Sequence, residues 1–347
     1  MHTSRFHFTL TRMTAQNGST PIPSDQVTLV GVVAIGRNEG ERLKRCLASV
    51  SSSGVQVVYV DSGSSDGSVE WARSIGVEVV ALDMSIPFTA ARARNAGFSR
   101  LHEDVTLVQF VDGDCELVPG WLRLASEFLD RRPDVSCVCG RLRERFPERS
   151  IYNRLCDMEW NRAPGETDAC GGIAMYRSEQ FRAAGGFREA LIAGEEPELC
   201  LRIRARGGRI WRVADEMAWH DADMTRFRQW WRRAVRGGHA LAEGMSLHRA
   251  ASSDPDKARL RRVVGWGMAW PTLVLAISVV HPAWLILLGS YPLRVVRLAT
   301  KSAESQQSPH WLWATFMVLS SFPEALGVAK YWLNRRFGRH SALIEYK

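Results

Sequence analysis

Lysine is nearly absent from this 347-residue chain. It occurs only at positions 44, 257, 301, 330 and 347, which leaves 40 arginines among the 45 basic residues. A ratio so lopsided reflects a compositional bias of the source, so no single arginine cluster is read as a site. Paired cysteines at metal-ligand spacing are missing too. The 7 cysteines all lie at or before Cys200, and Cys137 and Cys139 stand one residue apart in a strand-like run, as in a reduced, cytosol-facing chain. Residues 1–26 hold no continuous apolar stretch, so no secretory signal is read there and the segment reads as a loose leader. No P-loop is present and no G-x-G-x-x-G follows the first strand-like run, which removes the two common nucleotide fingerprints. With 46% hydrophobic and 24% charged residues, global disorder, collagen-like repeats and coiled coils are excluded as well. The formal charge of +8 suits an anionic partner: a phosphorylated substrate, lipid head groups or nucleic acid.

From Val27 the pattern becomes regular. Thr28–Ile35 is an apolar, β-branched run followed by a loop at Gly36–Gly40 and by Leu43, Leu47 and Val50 at helical spacing. Val55–Val60 is a second run, closed by Asp61-Ser62-Gly63-Ser64-Ser65-Asp66-Gly67. Val77–Leu82 and Val105–Val111 are a third and a fourth, with helical stretches at Val69–Ile75 and Thr89–Leu101 between them. Apolar runs alternating with helices predict βαβ units and a mostly parallel sheet, with ligands at the strands' carboxyl ends. From Val135 to Val213 the signals mix, a long Arg- and Trp-rich helix is read from Thr225 toward His248, and Ser252–Asp256 reads as a linker. Beyond Arg262, Val263–Val280 has 18 residues without a formal charge, and Ala283–Leu293 and Trp311–Leu333 are also largely apolar. A bilayer span takes about 20 apolar residues, so these segments are short or borderline spans. Their arginine flanks and terminal tryptophans fit an anchor on the cytoplasmic side of a membrane better than a buried helical subdomain. The expected division is a leader over 1–26, an α/β domain over 27–250 and an apolar helical region over 259–347.

Four groups of residues carry chemistry. Asp112-Gly113-Asp114 closes an apolar strand, and two carboxylates one residue apart on a tight turn can chelate a hard divalent cation. Asp61 also follows a strand; it either builds an Asx turn or accepts a hydrogen bond from a nucleobase ring N–H. Gly194-Glu195-Glu196-Pro197-Glu198-Leu199 opens a predicted helix, where acids either compensate the dipole or supply a general base. His220, after a short strand-like run, is either structural or completes a metal site begun by the two aspartates.

The order Arg37-Asn38-Glu39, Asp61…Asp66, Ala93-Arg94-Asn95-Ala96-Gly97, Asp112-Gly113-Asp114, Gly171-Gly172, Gly194–Leu199 and His220 resembles the inverting glycosyltransferases of family 2, with the GT-A fold. The resemblance covers about residues 27–250. It implies a Rossmann-like, mostly parallel sheet flanked by helices, a nucleotide-sugar donor, and a divalent metal, Mg or Mn. Donor-binding residues implied by it are Asn38, Glu39, Asp61, Asp66, Arg94, Asp112 and Gly172; metal ligands are Asp112, Asp114 and His220. The base maps to Glu196, where the family usually has aspartate, with Glu195 as the alternative. Gln229-Trp230-Trp231-Arg232-Arg233 keeps the Gln and Arg of the Q-x-x-R-W signature of processive synthases but has Arg in place of its Trp, which argues for single addition over chain extrusion. The expected acceptor is a glycan or a lipid-linked glycan, at the cytoplasmic face of the inner or plasma membrane, in cell-surface polysaccharide or glycolipid assembly, with no nucleic-acid partner. Two other readings compete. A sugar-1-phosphate nucleotidyltransferase would open with a Gly-rich, Arg- and Lys-containing loop, which Ile35–Gly40 lacks. A non-catalytic membrane or nucleic-acid binding protein would use the charge alone.

Overall fold

The computed structural model describes residues 29–51, 54–248, 254–304 and 310–338. The leader expected over 1–26 lies outside the described residues, as does most of the expected linker; Asp254 already starts a helix. One nine-stranded sheet organises the first two thirds of the chain. Its first half is β1 (Val30–Gly36), α1 (Glu41–Val50), β2 (Val55–Asp61), α2 (Ser68–Ser74), β3 (Glu78–Ala81), α3 (Ala90–Phe98) and β4 (Leu107–Asp112). The strands run β3-β2-β1-β4, all parallel, as the valine-rich runs predict for a sheet covered on both faces. Leu43, Cys46, Leu47 and Val50 are the buried face of α1, the helical spacing read from the sequence.

The second half departs from the parallel expectation. It contains β5 (Cys115–Leu117), α4 (Trp121–Arg131), β6 (Val135–Glu144), α5 (Ile151–Trp160), β7 (Gly165–Glu166), β8 (Ala174–Arg177), α6 (Ser178–Ala183), α7 (Glu195–Ala205) and β9 (Arg209–His220). Here β8 is antiparallel to both β4 and β6, and β5 and β7 are antiparallel to β9; only β6 and β9 are parallel. The sheet is therefore mixed. The βαβ pattern, which needs a crossover helix between parallel neighbours, ends at β4: the chain passes by a tight turn straight into β5, which pairs with β9 at the far edge of the sheet and not with β4.

Helix α8 (Phe227–Leu247) leaves the sheet, followed by α9 (Asp254–Val264), a π-helical turn at Gly265–Ala269, α10 (Trp270–Ser278), a 3-10 segment at Pro282–Gly289, and α11 (Ser290–Glu304). α12 (His310–Leu319) and α13 (Ser321–Arg336) together form a rod over His310–Arg336 that is long and apolar enough to cross a bilayer; 39% of its most apolar window is buried inside the fold. The region is not a separate body. Trp313 and Phe316 of α12 pack with Leu155, Cys156 and Trp230, and α13 lies against α8. Other apolar side chains face outward: Val279 is 87% exposed and Ile286 80%.

Candidate active site

Register brings the candidate loops together. Ile35 pairs with Asp112, and Gly36 with Asp61, so the acids that close β2 and β4 emerge at the same edge of the sheet. Between them the chain order reverses direction from β1 to β4, the place where open α/β sheets hold ligands.

The two loops beside β1 are stitched to each other. Asn38, at φ +54°, donates its N–H to Ser64 Oγ (2.8 Å) and accepts at Oδ1 from Ser65 N–H (2.8 Å). Gly40 N–H donates to Asp66 Oδ2 (3.0 Å) and Ser68 N–H to Asp66 Oδ1 (3.1 Å). Burial raises the Asp66 pKa, but these hydrogen bonds outweigh it and hold the carboxyl below its usual range. Asp61 is taken up inside its own loop: Oδ2 accepts from Gly63 and Ser64 N–H (both 2.9 Å), and Oδ1 from the Tyr59 hydroxyl (3.0 Å). The Asx turn, rather than an open acceptor for a base, is what Asp61 forms in this conformation. Glu39 folds back onto Arg42 at 2.8 Å.

Arg94 ties three expected residues into one unit. Thr89 caps α3 by accepting from Arg92 N–H (3.1 Å), and the next turn brings Arg94 beneath the β4 edge. Its Nη2 donates to Asp112 Oδ1 (2.8 Å) and its Nη1 to Glu195 Oε1 (2.7 Å). Gly172 makes the fit possible, because a Cβ there would sit 2.7 Å from Arg94 Nη2. Arg94 is fully buried between two carboxylates; burial disfavours its charge, and the paired charges more than restore it.

Asp114 and His220 meet across β5 and β9, where Cys115 is paired with His220. Asp114 Oδ2 lies 3.4 Å from His220 Nε2, and His220 Nδ1 lies 3.4 Å from Glu144 Oε2. Asp114, Cys115 and His220 each place a ligand-type atom within 4.8 Å of the others. Burial pushes the Cys115 thiol above its usual pKa, and the sulfur donates to Asp114 Oδ1 (3.3 Å). Two carboxylates and an imidazole whose far nitrogen faces a buried carboxylate fit a divalent cation, with Glu144 orienting the ring. Asp112, with one oxygen on Arg94 and a side chain 36% exposed, can add the second carboxylate.

A cavity of about 170 Å³ opens beside these groups, lined by Asp112, Gly172, His220, Trp160, Cys156 and Arg233 among others. Neither Glu195 nor Glu196 lines it. Glu196, the favoured base, points into the core: its Oε1 accepts from Cys170 N–H (2.6 Å) and lies 3.0 Å from Cys200 Sγ. Burial, then the Cys170 sulfur, pushes its pKa above the usual range. At Glu195 burial also disfavours the charge, but Arg94 and then Arg236 hold the carboxylate ionised. Glu195 thus shares Arg94 with Asp112, whereas Glu196 sits among the thiols of the core.

Three contributors were not singled out from the sequence, Glu144, Asn153 and Trp160, and Arg233 was read there only as the residue in place of the Trp of Q-x-x-R-W. Glu144 accepts from Asn153 Nδ2 (3.2 Å) and Ala222 N–H (3.2 Å) while facing His220, and Trp160 stacks edge-on against the histidine at 4.7 Å. An acid closing an apolar run was the signal at Asp61 and Asp112; Glu144 also ends its strand, but after Arg141-Leu142-Arg143, which hides the signal. Trp160 and Arg233 had no comparable signal in a chain so rich in both residue types.

The GT-A-type sheet thus carries a D-x-D turn at its carboxyl edge with a histidine facing it, the arrangement the sequence resemblance implied. Residues 32–185 match the family model described as Glycosyl transferase family 2. The chain is 27% identical over 314 residues to the pre-mycofactocin glycosyltransferase of Mycobacterium tuberculosis, covering 84% of this chain; the chain spans 63% of that relative's length. It is 24% identical over 206 residues to the glycosyltransferase AglE of Haloferax volcanii, covering 56% of this chain and 67% of that one. In structure it resembles the mannosyltransferase PcManGT of Pyrobaculum calidifontis, solved with GDP-Man and Mn²⁺. The TM-score is 0.59 at 20% identity, with 87% of each chain covered, a likeness of fold.

Proposed function

We propose that this chain transfers a sugar, with inversion, from a nucleotide-sugar donor to an acceptor hydroxyl, assisted by a divalent metal, at the cytoplasmic face of a membrane. The observation that carries the reading is the convergence of Asp112, Asp114 and His220 at the sheet's switch point, with Arg94 and Arg233 beside them. The GDP-Man and Mn²⁺ held by the Pyrobaculum mannosyltransferase support it.

The stitched loops at Asn38 and Asp66 form one wall for the nucleotide. When bound, the cation, on Asp112, Asp114 and His220, supplies positive charge against the leaving diphosphate. Arg233, at the cavity wall, adds a fixed charge where negative charge develops. Glu195, held ionised, takes the acceptor proton as the hydroxyl attacks the anomeric carbon, and Arg94 keeps it aligned with Asp112. One displacement then inverts the anomeric centre. The exposed apolar residues of the C-terminal helices and their arginine borders support a membrane position and a lipid-linked acceptor, in glycolipid or cell-surface polysaccharide assembly.

The test is release of nucleoside diphosphate from UDP-, GDP- and dTDP-sugars with Mn²⁺ or Mg²⁺, with the product's anomeric configuration read by NMR. Release from one base class, metal-stimulated and inverting, is expected; retention of configuration overturns the mechanism, and no release from any donor overturns the activity.

A further inference from the structure

A second group of metal-ligating side chains lies in the core, away from the D-x-D turn. The spacing of the cysteines along the chain conceals it, because its members come from three places. Cys137 is on β6, Cys170 is in the loop between β7 and β8, and Glu196 and Cys200 stand one helical turn apart on α7. Cys170 Sγ lies 3.6 Å from Cys200 Sγ, and Glu196 Oε1 lies 3.1 Å from the first sulfur and 3.0 Å from the second. The Cys137 thiol hydrogen-bonds to the Cys170 sulfur from β6. All four residues are buried.

A tetrahedral zinc ion, with Zn–S of about 2.3 Å and Zn–O of about 2.1 Å, sets its ligand atoms about 3.6–3.8 Å apart. The two sulfurs already stand at that spacing, and the carboxylate oxygen reaches it by withdrawing about half an ångström. Thiolates select a soft or borderline ion such as zinc, whereas the oxygen ligands of a D-x-D turn suit a harder one. The Tyr176 hydroxyl, 2.9 Å from Cys170 Sγ, can donate to that sulfur as a thiolate and orient it. Charge fits as well. Two thiolates and one carboxylate around a divalent ion leave a net negative charge in the core. A buried positive charge stands nearby: Arg212, opposite Cys139 in the β6–β9 register, is 7% exposed, and its Nη1 donates to Gly140 O (3.0 Å). Among the described residues Arg212 forms no ion pair, and its Nε has no hydrogen-bond partner. A buried cation left in that state calls for an anion. Cys139 feels the charge of both Arg212 and Cys170, which puts the cation beside the cluster.

We propose that Cys170, Cys200 and Glu196 hold a zinc-class divalent ion, with Cys137 as the fourth ligand. The site is separate from the cation site at Asp112, Asp114 and His220, and it stands whether or not the transferase reading does. The ion is structural: it ties the loop that leads into Gly172 to α7, the helix that presents Glu195 to Arg94. Binding releases the thiol protons, so it tightens as pH rises.

The experiment measures the zinc content of the full-length protein, kept reduced and desalted, and then the absorption of chelator-stripped protein reloaded with Co²⁺. About one zinc per chain is expected, and a thiolate-to-cobalt charge-transfer band that added Zn²⁺ abolishes. Stripping should lower the melting temperature and added Zn²⁺ should restore it. The double variant Cys170→Ser/Cys200→Ser should lose both the zinc and the band. Asp114→Asn and Cys115→Ser should keep both, since those residues lie outside the cluster. These two variants keep the proposal falsifiable if the buried double variant fails to fold. A band lost in either of them assigns the metal to the D-x-D turn and overturns the site, as does a band that survives in the folded double variant. Zinc-free protein that gives no cobalt band, or a melting temperature that Zn²⁺ leaves unmoved, reduces the four residues to core packing and overturns the proposal as well.

Discussion

Asp114 has two neighbours on opposite sides, the Cys115 thiol at Oδ1 and the His220 ring at Oδ2, and it is only 7% exposed. A carboxylate buried to that degree needs a positive partner, and the imidazole supplies one only when protonated. A divalent cation would supply it at any pH where the ligands are deprotonated. Asp114→Asn keeps the shape and removes the charge, so metal-dependent turnover should be abolished while the melting temperature stays close to that of the wild type; undiminished turnover would refute the ligand assignment. The base is tested in the same way. Glu195→Gln should lower transfer by about 10²–10⁴-fold, the scale for losing a general base, with donor binding little changed. Glu196→Gln should have a small effect, since a neutral amide can still accept the Cys170 N–H at Oε1. The opposite outcome returns the role to Glu196. At this scale the sequence showed the acids at strand ends but not their orientation. Glu195 and Glu196 are adjacent on a helix start, and only packing decides that one meets Arg94 and the other a nest of thiols.

Among the elements, the parallel half of the sheet was legible because β1, β2 and β4 are valine-rich, largely apolar runs bounded by glycine- and aspartate-rich loops. The antiparallel half was not. β5 and β7 are 3 and 2 residues long, too short for any periodicity, and β9 interrupts its apolar pattern with Asp215 and Glu216. The α8–α13 contact was equally hidden, since its signal is two glycines far apart in sequence: a Cβ on Gly327 would lie 2.0 Å from Val235 O and one on Gly238 2.0 Å from Glu324 O. Gly327→Ala should therefore cost about 1–3 kcal/mol by overpacking, read as a lower melting temperature, although alanine is the better helix former. The same contact carries a pH dependence. Burial pushes Glu243 up to about 7, and burial, with Lys330 nearby, pushes His239 down to about 4. The Glu243 contribution is present below its unfolded pKa of 4.5 and is lost as pH rises through 7. That of His239 is present above 6.5 and is lost as pH falls through 4. Glu243→Gln should accordingly raise the melting temperature at pH 8 and change it little at pH 4.5. An equal effect at both would show that the carboxyl is not held protonated in the fold.

For the whole molecule, charge and hydropathy pointed to a membrane-facing enzyme, and the structure shows the apolar helices packed onto the α/β domain rather than hanging from it. Phe316 lies 4.9 Å from Trp230, and the cluster they share includes Cys156, which lines the cavity beside Asp112 and His220. Because burial of apolar surface dominates such attachment at roughly 0.8 kcal/mol per CH₂, concentrated salt should fail to strip the full-length chain from membranes and detergent should release it. Quantitative release in salt would reduce the apolar region to a soluble buttress of the site. The central claim, a metal-assisted nucleotide-sugar site at Asp112, Asp114 and His220, is tested most directly by thermal shift. The full-length protein and its Asp114→Asn variant are melted with UDP-, GDP- and dTDP-sugars, each with and without Mn²⁺. A ligand that binds only the native state raises the melting temperature in proportion to its affinity and concentration. The expected result is stabilisation by one base class, larger with Mn²⁺ in the wild type, with the Mn²⁺ increment lost in the variant. Stabilisation by no donor, or an identical Mn²⁺ increment in both proteins, would contradict it.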